Sequence, residues 1–152
     1  MKNILALDLG SRLGFAAFFE ERVESGVVEF KVERGESIGM RFVRFNRWLA
    51  EILSVVQPQL VLYELPHLRG GFATDVLVGM STRVMEACAR HEIEYVSVHT
   101  GTLKKYAISG KATKQEMAEK ARIRFGNHLK DDNEIDAMWL LAYGRERYEP
   151  SL

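Results

Sequence analysis

Asp8, Glu64 and Asp136 are carboxylates set where a globular protein normally keeps apolar side chains. Asp8 closes the run Ile4-Leu5-Ala6-Leu7 and precedes Leu9-Gly10, and Glu64 closes Leu60-Val61-Leu62-Tyr63. Asp136 ends the cluster Asp131-Asp132-Asn133-Glu134-Ile135-Asp136, which opens the last amphipathic stretch. A carboxylate at the end of a buried strand loses hydration, which costs free energy unless a partner compensates. Carboxylates drawn together also raise one another's pKa, and a hard divalent cation removes the conflict. Mg²⁺ or Mn²⁺ prefers such oxygen ligands, and Cys and His at zinc spacing are absent. Two such ions about 4 Å apart activate a water and stabilise the leaving oxygen of a phosphodiester. The acids thus point to metal-dependent phosphoryl chemistry. Asp132 and Asn133 precede Asp136 by one helical turn, so either can share its face as a further ligand.

The elements that must position these acids are legible from period and punctuation. Residues 3–8 read as a buried strand, and Leu9 to Gly14 as a tight turn with two glycines. Phe15 to Phe19 is a second strand, and Glu20-Glu21-Arg22 turns it into a third, Val23 to Val32. There Val28, Phe30 and Val32 alternate with charged residues, the period of a half-exposed antiparallel strand. Ile38, Phe42, Phe45, Leu49, Ile52 and Val56 form the stripe of a long amphipathic helix that Pro58 stops. A strand over Leu60–Glu64, a helix over Thr74–His91 and a strand over Tyr95–Val98 follow. A helical turn over 102–107 comes next. Thr113-Lys114-Gln115-Glu116 is a capping box for a helix ending near Gly126, and the last helix covers 133–147 with Ile135, Met138, Trp139 and Ala142 on its apolar side.

The order predicts one α/β domain over residues 1–152, with a mixed five-stranded sheet. It combines a three-strand antiparallel meander with two parallel strands, and helices lie on both faces. If the first and fourth strands are parallel neighbours, Asp8 and Glu64 emerge at one end of the sheet, where ligand sites form.

Composition narrows the function classes. The chain has 152 residues, is 47% hydrophobic and has three prolines, as expected of one domain with its own core. No apolar run reaches the roughly 20 residues of a membrane span, so no membrane partner is expected. No secretory leader is read in Met1-Lys2-Asn3. The single Cys88 fits a reducing cytoplasm. Formal net charge is zero, yet Lys104 to Lys130 holds eight Lys or Arg against Glu116 and Glu119. Segregated charge of this kind makes a phosphate-facing patch on a neutral protein.

In order, these residues resemble the RuvC-type Holliday-junction resolvases of the ribonuclease H-like superfamily, including bacteriophage members. Ile4 to Gly10 with Gly14 and Ala16 looks like the family's first-strand motif, and Leu62-Tyr63-Glu64 like its second acidic motif. Leu77-Val78-Gly79 with the helix to Ala89 resembles its middle helix. Leu103-Lys104-Lys105, Ser109 to Lys114 and Met117 resemble its basic DNA-contacting segment, and Asp132 to Ala137 its closing acidic helix.

The resemblance implies a homodimeric crossover junction endodeoxyribonuclease that makes paired nicks in a four-way DNA junction. It implies Mg²⁺ or Mn²⁺, two ions, and no organic cofactor. Asp8, Glu64, Asp132 and Asp136 are the implied catalytic acids, with Asn133 alongside Asp132 for the fourth ligand position. The family commonly has an acid or His where Asn133 stands. Arg12, Arg69, Lys104, Lys105, Lys111 and Lys114 are the expected DNA contacts, and Phe72 on its glycine-hinged loop is either a junction wedge or a core anchor. A nuclease for RNA–DNA hybrids, flaps or other branched DNA shares the same acids, and a non-catalytic junction-binding module remains the alternative of another class.

Overall fold

The structure, a computed structural model, describes residues 2–65 and 70–148. Arg69 and His67 lie outside the described residues. The chain runs β1 (Ile4–Asp8), β2 (Arg12–Phe19), β3 (Arg22–Glu29), α1 (Met40–Val56), β4 (Leu60–Glu64), α2 (Gly71–Arg90), β5 (Glu94–Val98), α3 (Thr100–Ala107), α4 (Lys114–Phe125) and α5 (Asp132–Tyr148). The five strands form one sheet in the order β3-β2-β1-β4-β5. β1, β2 and β3 are antiparallel neighbours, whereas β1, β4 and β5 run parallel. The expected mixed sheet is therefore present. No helix among the described residues is long and apolar enough to cross a membrane.

Successive strand residues point to opposite faces, which splits the core in two. Ile4, Ala6, Ala16, Phe18, Leu60 and Leu62 meet α3, α4 and α5 on one face. Leu5, Leu7, Leu13, Ala17, Phe19, Val61 and Tyr63 meet α1 and α2 on the other. On the first face Trp139 of α5 is fully buried, donates its indole N–H to the Met117 carbonyl at 3.2 Å and meets Phe125 edge-on. On the second face Phe45 and Trp48 of α1 pack on Phe30.

Several boundaries differ from the sequence reading, each for a local reason. β2 begins at Arg12 rather than Phe15, because Gly14 pairs with Asp8 inside the ladder and the turn is confined to residues 9–11. β3 ends at Glu29, not Val32; Phe30 donates its amide to the Ser11 carbonyl and turns its ring into the core. α1 begins at Met40 and leaves Ile38 57% exposed, so the buried stripe is Phe45, Leu49, Leu53 and Val56. It stops where Gln57 adopts a left-handed conformation and donates its N–H to the Leu53 carbonyl, one residue before Pro58. α2 starts three residues early and α3 two. The capping box of α4 is present in both directions, Thr113 to Glu116 and back. α5 is buried over most of its circumference, including Ala137, Leu140, Leu141 and Gly144, whereas Ala142 is only half-buried.

Candidate metal centre

Strand parity and register place the first two acids. Asp8 follows Ile4 and Ala6 on the α5 face, as Glu64 follows Leu60 and Leu62. The parallel ladder pairs Leu7 with Tyr63, so the two carboxylates leave adjacent strands at one edge. α5 brings the third down onto that edge, and its approach depends on Gly14. A Cβ at residue 14 would run into the backbone carbonyl of Asn133, so only glycine lets the first turn of α5 lie against β2 beside Asp8. At the other end of the helix Gly144 lies against Leu62 of β4, and a Cβ there would also clash.

The first turn of α5 is tied down by three further contacts. Asp131 caps it: its Oδ1 accepts the amides of Asn133 at 2.8 Å and Glu134 at 3.3 Å. The N-cap is thus Asp131, a residue earlier than the Asp132 that also suits that role by type. Arg12 donates to Asp131 Oδ2 through Nε at 3.0 Å and also pairs with Glu29. Ser25 of β3 donates to Glu134 Oε2 at 2.6 Å. Partial burial pushes the Asp131 carboxyl up, but the Arg12 hydrogen bond and the two amides outweigh it and hold it below its ordinary value.

As a result Asp8, Glu64 and Asp136 each offer a carboxylate oxygen, and these oxygens lie within 4.8 Å of one another. Asp8 is only 9% exposed. Burial, then the charges of Asp136 and Glu64, push its carboxyl up to about 9. Burial, then Glu64, push Asp136 up to about 7. Lys114 opposes both shifts and Lys104 the second, which puts two ammonium groups beside the acids. Three clustered carboxyl groups, with Asp8 and Asp136 held above their ordinary range by burial and neighbouring charge, fit a hard divalent cation, whose charge would restore those two to the carboxylate form.

The triad opens into a cleft of about 560 Å³ whose walls include Thr74, Leu77, Thr100, Lys104, Lys114, Asp132, Asn133 and Ile135. Asp132 is exposed and lies outside the three-oxygen cluster, although its charge also raises Asp136. Asn133 lines the same wall. Of the basic residues singled out, Lys104 and Lys114 line the cleft, Lys105 and Lys111 are exposed beyond it, and Arg12 is held by its two acids. Phe72 is 55% exposed near the start of α2, with the Arg41 guanidinium 5.6 Å from its ring centroid, so it is no core anchor.

Two contributors carry little signal in the sequence. Asp131 appears there only as one of several acids. Thr100, whose hydroxyl donates to Glu64 Oε1 at 2.6 Å, comes from a helix start with no motif around it.

No protein-family model and no curated protein matches the chain. Solved structures do. RuvC of T. thermophilus in complex with a Holliday junction substrate superposes with a TM-score of 0.73 at 19% identity, covering 92% of this chain and 90% of that one. A second Thermus thermophilus RuvC structure gives 0.72 at 17% identity, over 95% and 96%. Fowlpox virus resolvase, solved with its substrate Holliday junction DNA, gives 0.63 at 12% identity, over 94% and 99%. The shared feature is the fold, a ribonuclease H-like sheet with helices arranged as in these Holliday junction resolvases.

Proposed function

From the ribonuclease H-like fold and its acidic edge, we propose that this protein is a metal-dependent DNA endonuclease that resolves four-way junctions by paired phosphodiester hydrolysis. The observation that carries the reading is the triad Asp8, Glu64 and Asp136, with oxygens within 4.8 Å of one another in a cleft flanked by Lys104 and Lys114. Two Mg²⁺ or Mn²⁺ ions, when bound, supply an activated water and charge on the leaving oxygen. The chain's own contribution is to hold three carboxylates on rigid elements, two strand ends and one helix, and to keep them poorly hydrated until the cleft is filled.

Asp132 or Asn133, at the rim, supplies the remaining ligand position. Lys104 and Lys114 meet the phosphate that enters the cleft, and Lys105 and Lys111 extend the contact along the strand; Arg69 and Arg12 belong to the same proposal. Such contacts hold backbone rather than read bases, so junction preference comes from shape and from the geometry of a dimer. A two-fold junction suits a homodimer with C2 symmetry. Val43 of α1 and Val78 of α2, 44% and 37% exposed, offer apolar surface for it.

A nicking assay on a synthetic four-way junction with Mg²⁺ or Mn²⁺, wild type against Asp8→Asn, tests the proposal. Paired nicks by the wild type and none by the variant, with junction binding retained, are expected. Equal cutting of linear duplex, hybrid or flap substrates would move the reading to a less selective nuclease. Absence of metal-dependent cutting on every substrate would leave a binding module. Size-exclusion chromatography with light scattering tests the dimer.

A further inference from the structure

Among the described residues, the Thr100 hydroxyl donates to Glu64 Oε1 at the triad, and its placement is fixed from both sides. Glu64 stands opposite Val98 in the β4–β5 ladder, and the next amide, that of Leu65, donates to the Val98 carbonyl at 2.8 Å. Thr100 follows two residues later as the first residue of α3. That helix is anchored by buried Leu103 and Ala107 and by the Leu103 amide donating to the His99 carbonyl. Donor and acceptor are therefore carried by backbone already locked together, and a β-branched side chain limits the rotamers open to the hydroxyl. One turn on, Lys104 lies on the same side of α3 and lines the same cleft.

We propose that Thr100 is a positioning residue of the metal centre: its hydroxyl holds one oxygen of Glu64 and so presents the other to a divalent ion. The proposal rests on the metal-dependent reading above. A charge-assisted hydrogen bond to a carboxylate restricts its rotation and satisfies one oxygen, which leaves Glu64 a one-oxygen ligand in a defined direction. Without it, the carboxylate turns about its terminal torsion, which is broad for Glu, and ion binding must then restrict that freedom.

The test is calorimetric titration of Mn²⁺ into the full chain without DNA, for wild type, Thr100→Val and Thr100→Ser, beside melting curves in EDTA. Loss of the hydroxyl should weaken Mn²⁺ binding by about 10- to 100-fold, the range seen when a ligand's outer partner is removed. Thr100→Ser should bind like the wild type, and both variants should melt in EDTA close to the wild-type temperature. Thr100→Ala runs alongside, so that a poorly folded valine variant does not decide the result. Unchanged Mn²⁺ affinity in both hydroxyl-free variants, or equal loss in the serine variant, would overturn the assignment. Wild type that binds Mn²⁺ yet cuts no junction would defeat the nuclease reading and leave Thr100 to be judged by the titration. Wild type that binds no Mn²⁺ defeats both.

Discussion

The two faces of the sheet are built from the same strands yet do different work, and side-chain size separates them. Toward α1 and α2, β1 and β2 present the large residues Leu5, Leu7, Leu13 and Phe19, which pack against helix side chains such as Phe45 and Leu49. Toward α5, β1 and β2 present Ala6, Ala16 and Gly14 between Ile4 and Phe18, so the helix comes down close to them there. Only a close helix can bring a short aspartate side chain to Asp8. Both faces are apolar and stabilise the fold; only the α5 face, at its small residues, also brings the acids together at a cost in buried charge.

The sharpest way to break this contrast is to change the acids themselves. Glu64→Gln and Asp136→Asn should each lower junction nicking by about 10³-fold, since a bound ion supplies several kcal/mol of transition-state stabilisation. Asp132→Asn, outside the three-oxygen cluster, should cost about tenfold or less by the same arithmetic. Single-turnover rates on one junction would rank the three, and a loss at Asp132 equal to the others would extend the centre to four acids.

Next in size are substitutions in the packing. Gly14→Ala should destabilise by about 3 kcal/mol or more, because the added methyl meets backbone rather than a movable side chain. It should also weaken Mn²⁺ binding. Val84→Ala, on the α1–α2 face, should cost about 2 kcal/mol in urea melts and leave Mn²⁺ affinity unchanged. If Val84→Ala disturbs the ion as much as Gly14→Ala does, the faces are not separable.

A smaller effect concerns pH. In the metal-free protein the carboxyls of Asp8 and Asp136 sit at about 9 and about 7, above the ordinary 3.8, so the folded state retains protons that the unfolded chain releases. Their contribution is fully present below the unfolded value and is lost as pH rises through 7 and then 9. Melting in EDTA should therefore fall between about pH 6 and about pH 9, and Asp8→Asn should melt higher than wild type at the upper end. At least about 1 kcal/mol is at stake, or about 2–4 °C for a domain of this size. Saturating Mg²⁺ should flatten the slope. A metal-free melting temperature that rises across this window would contradict the buried-acid account.

The smallest expected change is in salt dependence. Lys114→Ala should weaken junction binding and reduce the slope of log affinity against log salt by about 1, the mark of one lost phosphate contact. An unchanged slope would confine Lys114 to its electrostatic role beside Asp8 and Asp136.

Much of this was legible beforehand, for identifiable reasons. Asp8 and Glu64 stood out because a carboxylate ending an apolar run breaks a strong pattern. The capping box at Thr113 was local and complete. Arg12 looked like a DNA contact by type, but its partners Asp131 and Glu29 lie 119 and 17 residues away, and no local pattern joins them. Asp132 suits the cap by residue type, but the helix begins at that residue, so the cap is Asp131. Alternation set Phe30 apart from its charged neighbours and it is buried, but that β3 ends one residue before it is something alternation alone does not reveal.

Local pattern determined the strands, most helices, the mixed sheet and the acids to watch, because period and punctuation act over a few residues. Tertiary structure decided which acids meet, since that depends on strand register, on Gly14 admitting α5, and on the cap that sets its first turn. It also recruited Thr100, a residue whose type and neighbours say nothing until Glu64 is beside it. Convergence at a site is a property of long-range packing, and no window of sequence contains it.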